Sequence, residues 1–312
     1  MILGLVAWLL YHKLSDHRSL ANFVTLMKQT DRTDMFVMLS VLFLLMLVNY
    51  LIESIKWRFL CQPFEAISLW RSLESVFCGL TWAIFTPNRV GEYGGRVLFL
   101  PPRKRVFGVV AMGIGALAQV VITNIVGSLS LCWFLGRFLQ VHGWLNGLMW
   151  LAGLLYSGAF LLLYFRVSLL NRLLNKLTFL KKFLRFFNLL SQYQPHQLTR
   201  IFAYSLLRVG VYTSQYALLM QMMIPALPFF PMLAMIFLLY FAQTLLPTLD
   251  LFDFGVRSLT ASYFFGFITT QEVAVMASAS CIWFINLIFP ALVGSVFVLK
   301  INFFETAPTI SR

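Results

Sequence analysis

Four stretches of this chain run without one charged residue for long enough to cross a bilayer: Met35 to Ile52, Val106 to Leu135, Trp144 to Phe165 and Val273 to Leu299. A helix rises about 1.5 Å per residue and the hydrocarbon layer is about 30 Å thick, so ~20 apolar residues make one crossing. A fifth uncharged run, Val209 to Leu249, exceeds one span. It is broken by Pro225, Pro228, Pro231 and Pro247, which predicts two helical pieces joined at an apolar turn. Lipid offers the backbone no hydrogen bonds, and that selects helices over any open sheet. The expected fold is therefore all-α and polytopic, about seven to eight membrane segments in one integral membrane domain over residues 1–312. A hydrophobic share of 60% and a mean hydropathy of +0.82 agree with lipid as the solvent.

The basic excess, 24 Lys and Arg against 11 Asp and Glu, would suggest nucleic acid in a soluble protein. Here the cations gather in short loops beside the spans, as the positive-inside rule requires, so no nucleic-acid partner is expected. Residues 166–193 carry Arg166, Arg172, Lys176, Lys181, Lys182 and Arg185, interleaved with Leu169, Leu173, Leu177, Leu180, Leu184 and Phe187. That pattern predicts a cationic amphipathic helix on the cytoplasmic surface. It orients the chain in the cell membrane: Arg103, Lys104 and Arg105 inside, Gly136 to Gly143 and Pro225 to Pro231 outside, Lys300 and the C-terminal tail inside. The apolar start, Met1 to Tyr11, is too short to span and reads as part of a first helix. Cys61, Cys78, Cys132 and Cys281 have no paired spacing, and His12, His17, His142 and His196 form no ligand-spaced pair, so neither metal nor cofactor is expected.

Two stretches fit poorly as ordinary spans: 66–86, which carries Arg71 and Glu74, and the short 232–246. Each runs into a proline and a polar, glycine-containing patch, TPNRVGEYGGR at 86–96 and LPTLDLFDFGVR at 246–257. In both, an arginine follows the proline by nine or ten residues with glycine close before it. The spacing reads as a weak internal repeat. One half is 35–135 with a re-entrant segment at 66–86; the other is 199–300 with re-entrant segments at 232–246 and 256–270. Inverted repeats whose interrupted helices meet near the midplane are a recurring transporter plan.

Within the first patch, Gly91, Gly94 and Gly95 permit close backbone approach and unusual φ, while Arg89, Glu92 and Arg96 supply two cations and an anion. Arginine suits phosphate or carboxylate because its planar fork makes two hydrogen bonds. A solvated cytoplasmic loop is the plain alternative. In the second patch, Asp250, Asp253 and Arg257 lie between apolar segments, where a lipid-facing charge would cost about 2.5 to 3.5 kcal/mol or more, so they should face a cavity or one another. Polar residues recur at helical spacing elsewhere: Asn49, Glu53 and Lys56; Gln119 and Thr123; Tyr204, Arg208, Tyr212 and Gln215. The uncharged members serve equally well as glue between helices, whereas Glu53 and Arg208 point to function. Trp57, Trp70 and Trp144, near segment ends, read as interfacial anchors.

At three places the chain resembles the lysylphosphatidylglycerol synthase transmembrane family, a flippase-like membrane domain. KWRFL at 56–60 resembles the Trp-containing end of an early helix in that family, TPNRVGEYGGR its Gly-Glu signature, and LPTLDLFDFGVRS at 246–258 its later Gly-Val-Arg signature. The second match departs from the family pattern, with Asp253, Phe254 and Ser258 where the family usually has a Gly-Gly pair and a following Glu. No aminoacyl-transferase domain is attached, so synthesis of the lysyl lipid is not implied. What the resemblance implies is a non-enzymatic lipid flippase that moves a polar-headed lipid between leaflets; arginines set beside carboxylates suit a phosphate-containing headgroup, plain or bearing an amine or a sugar. Its partner would be a membrane phospholipid or polyprenyl-phosphate lipid, with self-association left open. Substrate would be held by Glu53, Arg89, Glu92, Arg96, Arg208, Asp250, Asp253 and Arg257. No Walker loop is present, so transport would be passive or driven by a gradient. The rival reading is an integral-membrane transferase or phosphatase acting on lipid or polyprenyl phosphate, with Asp250 and Asp253 holding a divalent ion.

Overall fold

The computed structural model describes residues 31–86, 89–139, 141–166, 193–245 and 253–299. The amphipathic segment expected at 166–193, the N-terminal apolar stretch and the C-terminal tail fall almost wholly outside these residues, so the structure does not bear on them. Every regular element among the described residues is helical.

Helix α1 (Arg32–Cys61) starts at Asp31, whose side chain accepts a hydrogen bond from the Thr33 amide at 3.3 Å. After a short connection, α2 (Leu69–Ile84) starts at Ser68, which caps the Arg71 amide in the same way. Helix α3 (Val90–Val97) follows a tight turn, and a 3₁₀ turn (Pro102–Lys104) leads into the long α4 (Arg105–Phe138). Helix α5 (Gly143–Phe165) follows. The second half opens with α6 (Pro195–Met223), which has Pro195 in its first turn and a capping box between Gln194 and Gln197. It breaks ahead of Pro225 and resumes as α7 (Phe229–Leu245), as the proline spacing predicts. Then come α8 (Asp253–Phe265), α9 (Glu272–Trp283), a π-helical turn (Phe284–Ile288) and α10 (Phe289–Leu299).

Among the described residues, four helical stretches are long and apolar enough to cross a membrane: Arg32–Cys61, Pro102–Phe138, Gly143–Phe165 and Glu272–Leu299. They contain the four uncharged runs of the sequence, and the chain is a multi-pass α-helical membrane protein. Helices α2, α3, α7 and α8, at 16, 8, 17 and 13 residues, are each too short for an ordinary crossing.

The packing is reciprocal. α2 lies against α3 and against α10 of the other half, while α7 lies against α8 and against α4 of the first half. The leading helices of the two halves, α1 and α6, pack on each other, which brings their polar stripes face to face. Helix α5 packs chiefly on α4 and leaves Leu148, Leu151, Leu154, Leu155 and Leu162 exposed, a surface suited to lipid.

The π-helical turn has a readable cause. Pro290 has no amide hydrogen, so the carbonyl four residues earlier, that of Asn286, lacks its helical donor. The hydroxyl of Tyr50 on α1 donates to that carbonyl instead. The Phe289 amide meanwhile reaches back five residues to the Phe284 carbonyl.

Candidate functional site

Asn49, Glu53, Lys56 and Trp57 recur at helical spacing along α1 and so share one face, which meets α6 at Asn49 and Glu53 and α3 at Trp57. Glu53, only 4% exposed, is the hub. Its Oε1 accepts from Arg96 Nη1 at 2.6 Å; its Oε2 lies 2.5 Å from Arg208 Nη1 and 2.7 Å from Lys56 Nζ. Arg208 also donates from Nε to Asn49 Oδ1 at 3.0 Å, so two residues one turn apart on α1 grip a single guanidinium from α6. The second arm of Arg96 bonds Glu92, whose other oxygen lies 3.1 Å from Arg89 Nε. The result is a chain of alternating charge, Arg89 to Glu92 to Arg96 to Glu53, forking at its end to Lys56 and Arg208. The ring of Trp57 lies under the Arg96 guanidinium, 5.9 Å from centroid to carbon, and is fully buried.

Arg96 reaches this depth because glycine removes the side chains that would otherwise separate α2 from α3. A Cβ on Gly95 would lie 2.7 Å from the Gly79 Cα, and one on Gly91 would lie 2.2 Å from the Trp82 carbonyl oxygen. Thr86 Oγ1 closes the turn by accepting from the Gly91 amide at 2.7 Å. Close approach at the glycines is therefore present as expected, but unusual φ is not. The glycines of the patch are helical, and the left-handed residue is Arg89, at φ 58°. Residues 90–97 are correspondingly a helix, not a solvated loop.

Exposure divides the cations. Lys56 and Arg96 are sealed in, whereas the side chains of Arg208 and Arg89 are 23% and 40% exposed. Burial alone would push the Glu92 carboxyl up, but Arg89 and Arg96 outweigh it and hold the group below the ordinary carboxylate value, so it is ionised at neutral pH.

The ion pairs of this cluster join the first patch to α1 and α6. Asp250 lies outside the described residues, and Asp253 opens α8 with its side chain undescribed. Arg257 donates to Gln243 Oε1 at 2.9 Å and stands within electrostatic reach of Tyr216 and Tyr240. Tyr50 and Tyr212 lie between these regions. Tyr50 is close enough to sense Arg89, Arg208, Glu92 and Tyr212, and the Tyr212 ring sits 5.4 Å from that of Tyr240.

Of the expected residues, the structure gathers Glu53, Arg89, Glu92, Arg96 and Arg208 into one cluster and bonds Arg257 to Gln243. The expectation for Trp57 is corrected: it is no interfacial anchor but the floor under Arg96, while Trp70 and Trp144 are indeed exposed. The stripe on α6 divides as well, since Gln215 is fully buried and donates to the Leu42 carbonyl at 2.8 Å as an inter-helix tie. Tyr50 and Gly79 escaped the sequence reading. Tyr50 lies one residue from Asn49 and three from Glu53, the signal that could have found it.

The description lysylphosphatidylglycerol synthase TM region matches residues 1–294. No curated protein and no solved structure is significantly similar to the chain. The matched span takes in both glycine patches and the described helices from α1 into α10, and on that extent the chain belongs to the lysylphosphatidylglycerol synthase TM region family, a family tied to membrane lipid.

Proposed function

We propose that the protein moves a phosphate-bearing lipid between membrane leaflets without altering it chemically. The observation that carries this reading is the buried Glu53 held by three cations at 2.5 to 2.7 Å. Among the described residues one carboxylate faces three cations, and Glu92 takes up part of only one of them. Such a concentration of positive charge within a helical membrane protein is costly unless an anion visits it. A lipid phosphate supplies that anion while its acyl chains stay in the bilayer.

Arg208 is the cation placed to make the exchange. It is partly exposed, and its fork can turn from Asn49 and Glu53 to a phosphate at little cost in charge balance, because Lys56 and Arg96 remain on Glu53. Family membership supports a lipid as cargo, and the basic loops support a cell-membrane location with the C-terminus in the cytoplasm. The test is leaflet exchange in vesicles of purified protein, comparing a fluorescent phospholipid with the matching diacylglycerol and recovering both for chemical analysis. Faster exchange of the intact phospholipid is expected. Equal transfer of the two lipids, or recovery of a chemically changed product, refutes the proposal.

A further inference from the structure

Beyond the charged cluster, α6 and α7 bring together three hydroxyls that have no hydrogen-bond partner among the described residues. Thr213 and Tyr216 share a face of α6, and Tyr240 meets them from α7, its ring 6.3 Å from that of Tyr216. All three side chains are at least nine-tenths buried, at 7%, 2% and 8% exposure. Thr213 Oγ1, Tyr216 Oη and Tyr240 Oη nevertheless have no hydrogen-bond partner. Thr213 and Tyr240 face each other without closing a bond of normal geometry. Buried polar groups are almost always paired, and three orphans in one place form a pattern that needs its own explanation.

The surroundings narrow what could complete them. Arg257 on one side disfavours a metal cation or an ammonium group, and an acyl chain would leave the hydroxyls as they are. Phosphate has a better-equipped seat at Arg208, which adjoins this region through Tyr50 and Tyr212. What remains is an uncharged group that both donates and accepts hydrogen bonds and can lie against aromatic rings. A ring polyol has these properties: its hydroxyls pair with Thr213, Tyr216 and Tyr240, and its C–H faces rest on the tyrosines.

We infer that Thr213, Tyr216 and Tyr240 form a subsite for a ring polyol, a sugar or inositol, carried beyond the phosphate of the lipid headgroup. The inference rests on the proposed phosphate seat and extends it by naming the group that follows the phosphate. Charged and hydroxylated parts of one headgroup then have separate places along α6, at Arg208 and about one and a half to two turns further on.

Binding provides the test, independently of transport. Detergent-solubilised protein is heated with short-chain phosphatidylinositol, with short-chain phosphatidic acid, or with a short-chain glucosyl phospholipid, and the dependence of the melting temperature on lipid concentration gives each affinity. The wild type is expected to prefer both ring-bearing lipids over phosphatidic acid by about tenfold, the worth of one to two net hydrogen bonds. A preference for only one of them identifies the ring as inositol or sugar. The combined variant Thr213→Val, Tyr216→Phe, Tyr240→Phe keeps shape and rings but removes the hydroxyls, and it should lose the preference while still binding phosphatidic acid. If that variant does not fold, Tyr216→Phe alone should lose most of it. A wild type that does not discriminate, or variants that keep the preference, overturns the subsite and leaves the hydroxyls to ordered water. Failure of the transport reading appears separately, as vesicles in which the wild type moves none of these lipids.

Discussion

The hydroxyl of Tyr50 donates to the main-chain carbonyl of Asn286, 236 residues further along the chain, and that carbonyl is the one Pro290 leaves without a helical donor. A tyrosine of the first half thus repairs a proline defect in the second. Tyr50→Phe should destabilise the protein by about 1 to 3 kcal/mol, because it leaves a buried carbonyl unpaired. Pro290→Ala restores an amide hydrogen at the defect, so the same Tyr50→Phe change should then cost much less. Unfolding of the two single variants and the double variant in one detergent measures the coupling, and strictly additive losses would refute the repair.

Glu53 offers a sharper case. Glu53→Ala leaves Lys56, Arg96 and Arg208 without their shared carboxylate and should cost about 3 to 5 kcal/mol, as breaking a buried ion pair does, with poor recovery of folded protein. Arg208→Lys keeps the charge but cannot hold Asn49 and Glu53 together through a planar fork. Monodisperse protein with leaflet exchange reduced about tenfold, the effect of ~1.4 kcal/mol, is the outcome expected of that variant. Wild-type exchange by Arg208→Lys would remove Arg208 from the phosphate seat.

Glycines divide into two classes by their surroundings. A methyl on Gly91 or Gly294 would run into main chain, at 2.2 Å from the Trp82 carbonyl oxygen and 2.1 Å from that of Phe77. Alanine at either should cost about 2 kcal/mol or more by overpacking. Gly147, on α5, has nothing within 4 Å of its would-be Cβ, so alanine there should be neutral or gain up to ~1 kcal/mol from helix propensity. Thermal unfolding followed by size-exclusion chromatography ranks the three; a harmless Gly91→Ala would mean that α2 and α3 are not so closely joined.

Orientation is testable at the turn between α3 and α4. Arg103 is exposed, and Cys61, Cys78 and Cys132 are buried with Cys281 partly so, which keeps background labelling low. A cysteine at Arg103 should resist an impermeant maleimide added outside intact cells and react once the cells are opened. Labelling in intact cells would invert the topology.

The helices were legible because lipid permits few alternatives: uncharged runs gave the four long stretches, and prolines gave the break between α6 and α7. Glu53 and Arg208 stood out as charges the membrane should not tolerate alone, and they proved to be partners. Periodicity could not show which residues would meet across 155 positions of sequence, since that depends on the pairing of α1 with α6. It also misplaced Trp57, because an aromatic residue near a helix end looks the same whether it faces headgroups or the underside of an arginine. The strained backbone was assigned to glycine and fell on Arg89, where a left-handed residue starts α3 and leaves the glycines free for packing.

The crowded glycines of α2 and its neighbours bear on how the protein can move. Backbone touches backbone on both sides of α2, at Gly95 of α3 and at Gly294 of α10, so no layer of side chains remains in which these helices could slip. Thr81 adds a hydrogen bond to the Ala291 carbonyl at 2.8 Å across the second of those contacts. Main-chain contact thus locks the three helices to one another as one body, which carries Glu92 and Arg96. Glu53 and Arg208 belong to α1 and α6, outside that body. The Arg96 to Glu53 contact consequently fastens that body to α1, together with the Ser72 hydroxyl that donates to the Ser54 carbonyl at 2.6 Å and the Tyr50 hydroxyl that donates to the Asn286 carbonyl.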